Sequence, residues 1–134
     1  MMQRYTAYEA QVWARRQRLG GDTAGKIILM ILSDYADEWG TCYPGVDRIA
    51  EEGELSKSTV LRKLKALAHA GLITVERRAN QRGHRTSNRY ILEIGVTISA
   101  NQWRESWNAV MANETRRIAA IAAIGRESPR FSQA

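Results

Sequence analysis

The sequence predicts a mainly α-helical domain carrying one small β-hairpin. Three observations predict it. Apolar residues recur at helical spacing through most of the 134-residue chain. Two short alternating segments flank a polar, glycine-containing stretch. Glycines and a proline punctuate the pieces at the places where helices should stop or start. A composition of 44% hydrophobic and 25% charged residues is that of a globular domain, one large enough to bury a core without disulfides or metals.

The first helix spans residues 5 to 19, YTAYEAQVWARRQRL, with Tyr5, Tyr8, Val12 and Leu19 near one face and Gly20-Gly21 as its stop. It either covers the core or acts as a dimer arm. Residues 22 to 39, DTAGKIILMILSDYADEW, predict a deeply buried helix capped by Asp22 or Thr23 and stopped by Gly40. After TCYPG comes a short helix, VDRIAEE, with Val46 and Ile49 on one side. Residues 56 to 70, SKSTVLRKLKALAHA, carry a clear helix signal. Ser56 is the N-cap, and Leu55 and Val60 occupy the two positions of a hydrophobic staple. Val60, Leu64, Leu67 and Gly71 share one face, with Leu61 and Ala68 at its edge. Ser58, Thr59, Arg62, Ala66 and His69 point the other way, flanked by Lys63 and Lys65, and no large apolar residue is expected on that outer face.

LITVERR and NRYILEIG alternate as strands do. Ile73 and Val75 should face the same side as Tyr90, Leu92 and Ile94. ANQRGHRTS joins them into a hairpin. Residues 99 to 124 form a last helix. Ser99 and Gln102 make a capping box, Trp107, Met111, Ile118 and Ile121 form a stripe adjoined by Trp103 and Val110, and Gly125 is the end. That stripe either packs within the chain or pairs two copies. The order of a short helix, a basic helix and a basic hairpin is that of a winged helix-turn-helix. The expected division is an N-terminal helix (1–21), the winged domain (22–98), a C-terminal helix (99–125) and a flexible tail (126–134).

Charge gives the domain a direction. Residues 56 to 90 hold nine basic residues and one acidic, a net +8, against +6 for the whole chain. Charge so focused points to a polyanion partner. Small, hydroxylic and basic side chains on one helix face suit phosphates and base edges in a major groove. Other classes are disfavoured. The two histidines and the single cysteine, Cys42, lack metal-ligand spacing, and no glycine-rich loop follows a strand. No enzyme, cofactor or small-molecule ligand is therefore expected. Asp34, Asp37 and Glu38 read as a solvated helix face. Apart from Tyr90 the aromatics lie outside the basic window, which leaves RNA little to stack on. The longest strongly apolar run, IILMIL at 27 to 32, is far short of a membrane span, and MMQRYTAYEA lacks the apolar core of a secretion signal. With one cysteine, this predicts a cytoplasmic protein with no membrane partner.

Four motifs run in order through the middle of the chain: a buried helix ending in Gly40 before Cys42-Tyr43-Pro44, Leu55-Ser56 followed by Thr59-Val60, Gly71-Leu72-Ile73, and Ser87-Asn88 before Tyr90. In these the run from Gly25 to about Leu92 resembles the winged helix-turn-helix domain of phage and prophage replication-initiation proteins and related mobile-element regulators. Two positions depart from that pattern. Gly45 stands where the family usually has a capping Ser. Glu54 stands where it tends to place the Gly of the inter-helix turn, so a differently shaped turn is expected.

The resemblance and the charge imply double-stranded DNA as partner, with a homodimer through the terminal helices as one outcome. Ser58, Thr59, Arg62 and Lys63 are the expected major-groove contacts, Arg62 as the base reader. Ser56 and Lys57 would meet phosphates at the helix start. Arg77, Arg78, Arg82, His84, Arg85 and Arg89 form the wing set, with Arg82 or Arg85 suited to a minor groove and His84 as much a solvent residue as a contact. The expected function is a sequence-specific regulator of transcription in a phage or mobile element. An origin-binding initiator and a protein-docking winged helix are the alternatives. The roughly 40 residues after the hairpin leave room for a helix and a tail rather than a helicase-recruiting domain.

Overall fold

The computed structural model describes residues 3–84 and 86–127, with side chains to Ile124. The elements run α1 (Ala7–Arg16), α2 (Thr23–Tyr35), β1 (Thr41–Cys42), α3 (Val46–Gly53), α4 (Lys57–His69), β2 (Ile73–Glu76), β3 (Arg89–Leu92) and α5 (Ala100–Glu127). The sheet order is β1-β3-β2, antiparallel throughout. Ile73 pairs with Leu92 and Val75 with Tyr90, so the expected apolar face forms in register. It closes over Ile28, Leu29 and Leu32 of α2, Ile49 of α3, and Val60, Leu64 and Leu67 of α4. The fold is a winged helix-turn-helix with a helix added at each end.

Local chemistry sets the boundaries. Thr6 and Glu9 form a reciprocal capping box, so α1 begins at Ala7 rather than at Tyr5. Its buried face is Ala10, Trp13 and Ala14, not the Tyr5–Tyr8–Val12 line, and Tyr8 is 72% exposed. The Trp13 indole N–H fixes that rotation by donating to the Val96 carbonyl at 2.8 Å. α1 packs on α2 within the chain. Lys26 caps the end of α1, its ammonium donating to the Arg15 and Gln17 carbonyls. Burial, then the nearby Arg18 and Arg15 charges, hold its pKa below the usual lysine value.

α2 ends at Tyr35, four residues before the expected stop at Trp39. Asp37 ends it. One carboxylate oxygen accepts from the backbone N–H groups of Trp39 (2.9 Å) and Thr41 (3.0 Å), which turns the chain into β1. Asp37 is thus the organiser of a turn and not part of a solvated helix face. Within β1, burial, with Asp37 adding to it, pushes the Cys42 thiol up to about 12, so this side chain is core and not a nucleophile.

The turn between α3 and α4 keeps the standard shape despite its unusual residue. Glu54 itself adopts the left-handed conformation, at φ 55° and ψ 45°. Gly53 closes α3 in tight packing, where a Cβ would lie 3.3 Å from Ile27, Ile31 and Leu55. Gly45 caps α3 without a side-chain hydrogen bond, as its lack of a side chain requires. Ser56 caps α4 as expected, accepting from the Thr59 N–H at 3.1 Å.

α5 runs through Gly125 to Glu127 instead of stopping before it, and the rest of the expected tail, 128–134, lies outside the described residues. Trp103, Ser106 and Val110 of its first half are buried. Ile118, Ile121 and Ile124 of its second half are 56–65% exposed. The expected stripe is therefore split: Trp107 packs against the core, whereas Ile118 and Ile121 face outward.

Glu54 is exposed, so exchanging it for Gly removes a strained backbone and no packing. Glu54→Gly is expected to stabilise the fold by about 0.5–1 kcal/mol, the relief of the left-handed conformation less the entropy glycine adds to the unfolded chain. A higher urea midpoint at unchanged slope would show it.

Candidate nucleic-acid interface

Two helices and a hairpin decide what α4 can offer a partner. α5 runs antiparallel along one flank. His69 Nδ1 lies 3.0 Å from Ser106 Oγ, and two turns away the Arg62 guanidinium lies 3.8 Å from the Glu114 carboxylate. Between those two contacts Ala66 is fully buried, its small side chain giving α5 room to approach. The hairpin borders the other flank. Two open grooves of about 380 and 500 Å³ lie between it and α4, lined in common by Leu61, Asn88 and Tyr90.

The open arc of α4 is consequently Ser58, Leu61, Arg62 and Lys65, at the i, i+3, i+4, i+7 spacing of one helix face, with His69 one turn on. It is rotated from the expected Ser58–Thr59–Arg62–Ala66–His69 face. Two residues on it were missed by sequence reasoning. Lys65 stood only as a flank, and Leu61 was placed at the edge of the core. Leu61 is in fact 47% exposed, which corrects the expectation that the outer face carries no large apolar side chain. The regular spacing of 58, 61, 62 and 65 was the available signal.

The remaining expected residues of α4 sort by what already holds them. Ser56 spends its hydroxyl on the cap, accepting from the Thr59 N–H and donating to Thr59 Oγ1 at 2.9 Å. Lys57 is exposed and pairs with Asp47 at 2.8 Å. Ser58 is exposed and Thr59 half-buried.

Lys63 does not face outward at all, and its expected place among the DNA contacts is corrected. Its side chain is only 11% exposed. Its ammonium lies 2.6 Å from Asp22 Oδ2 and 3.3 Å from the centre of the Trp107 ring. The same Asp22 oxygen accepts from the Trp103 indole N–H at 3.0 Å, while its other oxygen caps α2 through the Gly25 N–H at 2.9 Å. A lysine on a helix flank satisfied by a buried carboxylate and an indole face is a clamp between elements, not a free cation.

On the hairpin, the Asn80 side chain organises the tip by accepting from the Arg82 and His84 N–H groups, both at 2.9 Å. Gly83 takes the positive φ, 80°, that the turn needs. Arg77, Arg82 and His84 are exposed. The Arg78 guanidinium stacks 4.4 Å from the Tyr43 ring centre, and its Nε donates to the Ser87 carbonyl at 2.9 Å. Arg89 is half-buried on β3, and its buried Nε finds no hydrogen-bond partner among the described residues. Arg85 lies outside the described residues.

Residues 23–73, from α2 to the first residue of β2, match the family model described as a helix-turn-helix domain. That match supports a DNA-binding protein. Among solved structures the chain is similar to one described as a possible transcriptional regulator from Methanosarcina mazei Go1, with 17% identity over 78% of this chain and 79% of that one, and a TM-score of 0.44. No curated protein matches the chain. Among the described residues no group of His, Cys, Asp and Glu is placed to hold a metal, and no helix is long and apolar enough to cross a membrane.

The Asp22–Lys63 contact sets a measurable cost. Asp22→Ala strands a buried ammonium, uncaps α2 and frees the Trp103 N–H. It should cost about 3–5 kcal/mol in urea unfolding, the scale of a broken buried pair. Asp22→Ala combined with Lys63→Met should recover the part of that loss due to the uncompensated charge, while the lost cap and the unpaired Trp103 N–H remain.

Proposed function

We propose that the chain binds double-stranded DNA in a sequence-specific way and regulates transcription. The observation that carries this is the open arc of α4, in which the Ser58 hydroxyl and the Lys65 ammonium stand exposed beside the half-buried Arg62, between α5 and the arginine-bearing hairpin. Ser58, Arg62 and Lys65 enter the major groove. Arg62 reads guanine, since its contact with Glu114 is long and more than a third of its side chain is exposed. Lys57 sits at the start of α4, where backbone N–H groups favour a phosphate. Arg77 and Arg82 follow the backbone or the adjoining minor groove, with His84 beside them. A setting in a phage or other mobile element rests on the motif resemblance alone.

Two copies paired through the second half of α5, where Ile118 and Ile121 stand exposed, would present two such arcs to a two-fold symmetric operator. Sedimentation velocity on the wild type and on Ile121→Asp tests the pairing, which predicts a dimer that the variant lacks.

The second reading, a protein-docking winged helix, is favoured by the exposure of Leu61. Selection from randomised duplex DNA at about 0.15 M salt separates the two. Sequence enrichment is expected, and Arg62→Ala should relax one position by about 1–3 kcal/mol. With roughly five phosphates neutralised, log K against log salt should fall with a slope of about −4 to −5. Binding without any sequence preference would contradict specific recognition.

A further inference from the structure

Leu61 is the least expected residue on the open arc. It is not core, being 47% exposed in a helix whose inward residues Val60 and Leu67 are fully buried. It is not part of the α5 contact, which runs through Arg62, Ala66 and His69. It lines both of the grooves that separate α4 from the hairpin.

Its surroundings narrow the kind of partner. One turn before and one turn after it on the same face come Ser58 and Lys65, and Arg62 lies beside it. A protein hot spot is usually a cluster of apolar or aromatic anchors that exclude water together. On the open arc Leu61 is the one apolar side chain, set among a hydroxyl and cations, while the apolar residues lining the grooves beside it, Val46, Leu64, Ala68, Val75 and Tyr90, are buried or half-buried. The major groove offers a match for that pattern. Phosphates and guanine edges take the cations, and the one apolar group on a base edge there is the 5-methyl of thymine.

We infer that Leu61 is a specificity-determining residue that reads a thymine through its 5-methyl group, next to the guanine read by Arg62. This rests on the DNA-binding reading above and adds one base to it. Neighbouring residues on a helix are about 1.5 Å apart along its axis, and successive base pairs about 3.4 Å. The thymine should therefore lie within about two base pairs of that guanine. Burying one methyl supports about a fourfold preference (about 0.8 kcal/mol, at about 1.4 kcal/mol per tenfold).

The test is a parallel selection from two randomised duplex libraries, one built with thymidine and one with deoxyuridine, which lacks only the methyl. The wild-type chain should return a motif with a fixed thymine from the first library. From the second it should return the same motif with that position degraded, by about fourfold in the affinity of single sites. Leu61→Ala should return one motif from both libraries, with the preference gone and the guanine kept. Leu61→Gln should exchange thymine for adenine, since glutamine pairs bidentately with that base. Circular dichroism on both variants checks that a surface exchange leaves the fold intact. Identical wild-type motifs from the two libraries, or a thymine preference that survives Leu61→Ala, would overturn the assignment while leaving DNA binding in place. If the wild type enriches nothing from either library, the DNA reading itself falls with it, and Leu61 is left as an anchor for a protein surface.

Discussion

Asp22 is the carboxylate on which the arrangement of helices depends. One oxygen caps α2, and the other accepts from both Lys63 of α4 and Trp103 of α5. Three elements from distant parts of the chain meet on one residue. Such a cluster is stabilising only when every donor is satisfied, and here each has a partner within 3.0 Å. Gly25 makes the geometry feasible. A Cβ at that position would lie 3.0 Å from the Trp103 ring and 3.3 Å from the Asp22 carboxyl carbon, so only glycine lets the indole lie against the first turn of α2. Gln17 plays a similar part on the other side. Its buried amide donates to the Trp13 and Val96 carbonyls and accepts from the Ile98 N–H, which ties the end of α1 to the segment that leads into α5.

The consequence reaches the outer surface of α4. A helix has one circumference, and three neighbours claim parts of it: the core takes Val60, Leu64 and Leu67, α5 takes Lys63 and Ala66, and the hairpin borders Leu61 and Ala68. What remains for a partner is narrower than an isolated amphipathic helix would present. It is also better fixed, because α5, α2 and α3 pack against α4. A helix that reads bases through a few side chains needs its rotation about its own axis set, since a turn of one residue moves each side chain by about 100°.

Much of this was legible in the sequence, and the failures share a cause. The strand register followed from alternation alone, and the Ser56 cap from residue type and position. Local rules were misapplied where a stronger local competitor stood nearby. Asp37 took the end of α2 for its own turn, and the Thr6–Glu9 box shifted α1. The rotation of α4 was not legible because it is set at long range. Lys63 reads as a surface cation until Asp22, 41 residues away, and Trp107 are seen beside it. In sequence Ala66 reads as part of the outward face and Lys63 as its flank, and the tryptophans of α5, which had to be buried somewhere, are the hint that this side is taken. Glu54 shows the opposite case. A rule of residue preference predicted a changed turn, and the usual one forms beside the tightly packed Gly53 at a local cost.

The cations of the interface differ in how firmly the fold holds them, and that difference decides which are free to meet an anion. The exposed pair Lys57–Asp47 is worth about 1 kcal/mol or less, because water and salt compete with it, and the half-buried pair Arg62–Glu114 is long, at 3.8 Å. A phosphate or a guanine edge can replace either carboxylate at small cost. Removing Lys63 from Asp22 would leave two buried charges unpaired, a penalty several times larger than a single DNA contact returns. Charge count along the sequence treats these lysines and arginines alike. The structure divides them into one that builds the scaffold and others that the scaffold only orients. Asp47 and Glu114 hold their cations near the open arc and release them readily, which lowers the entropy a partner must pay to order long side chains.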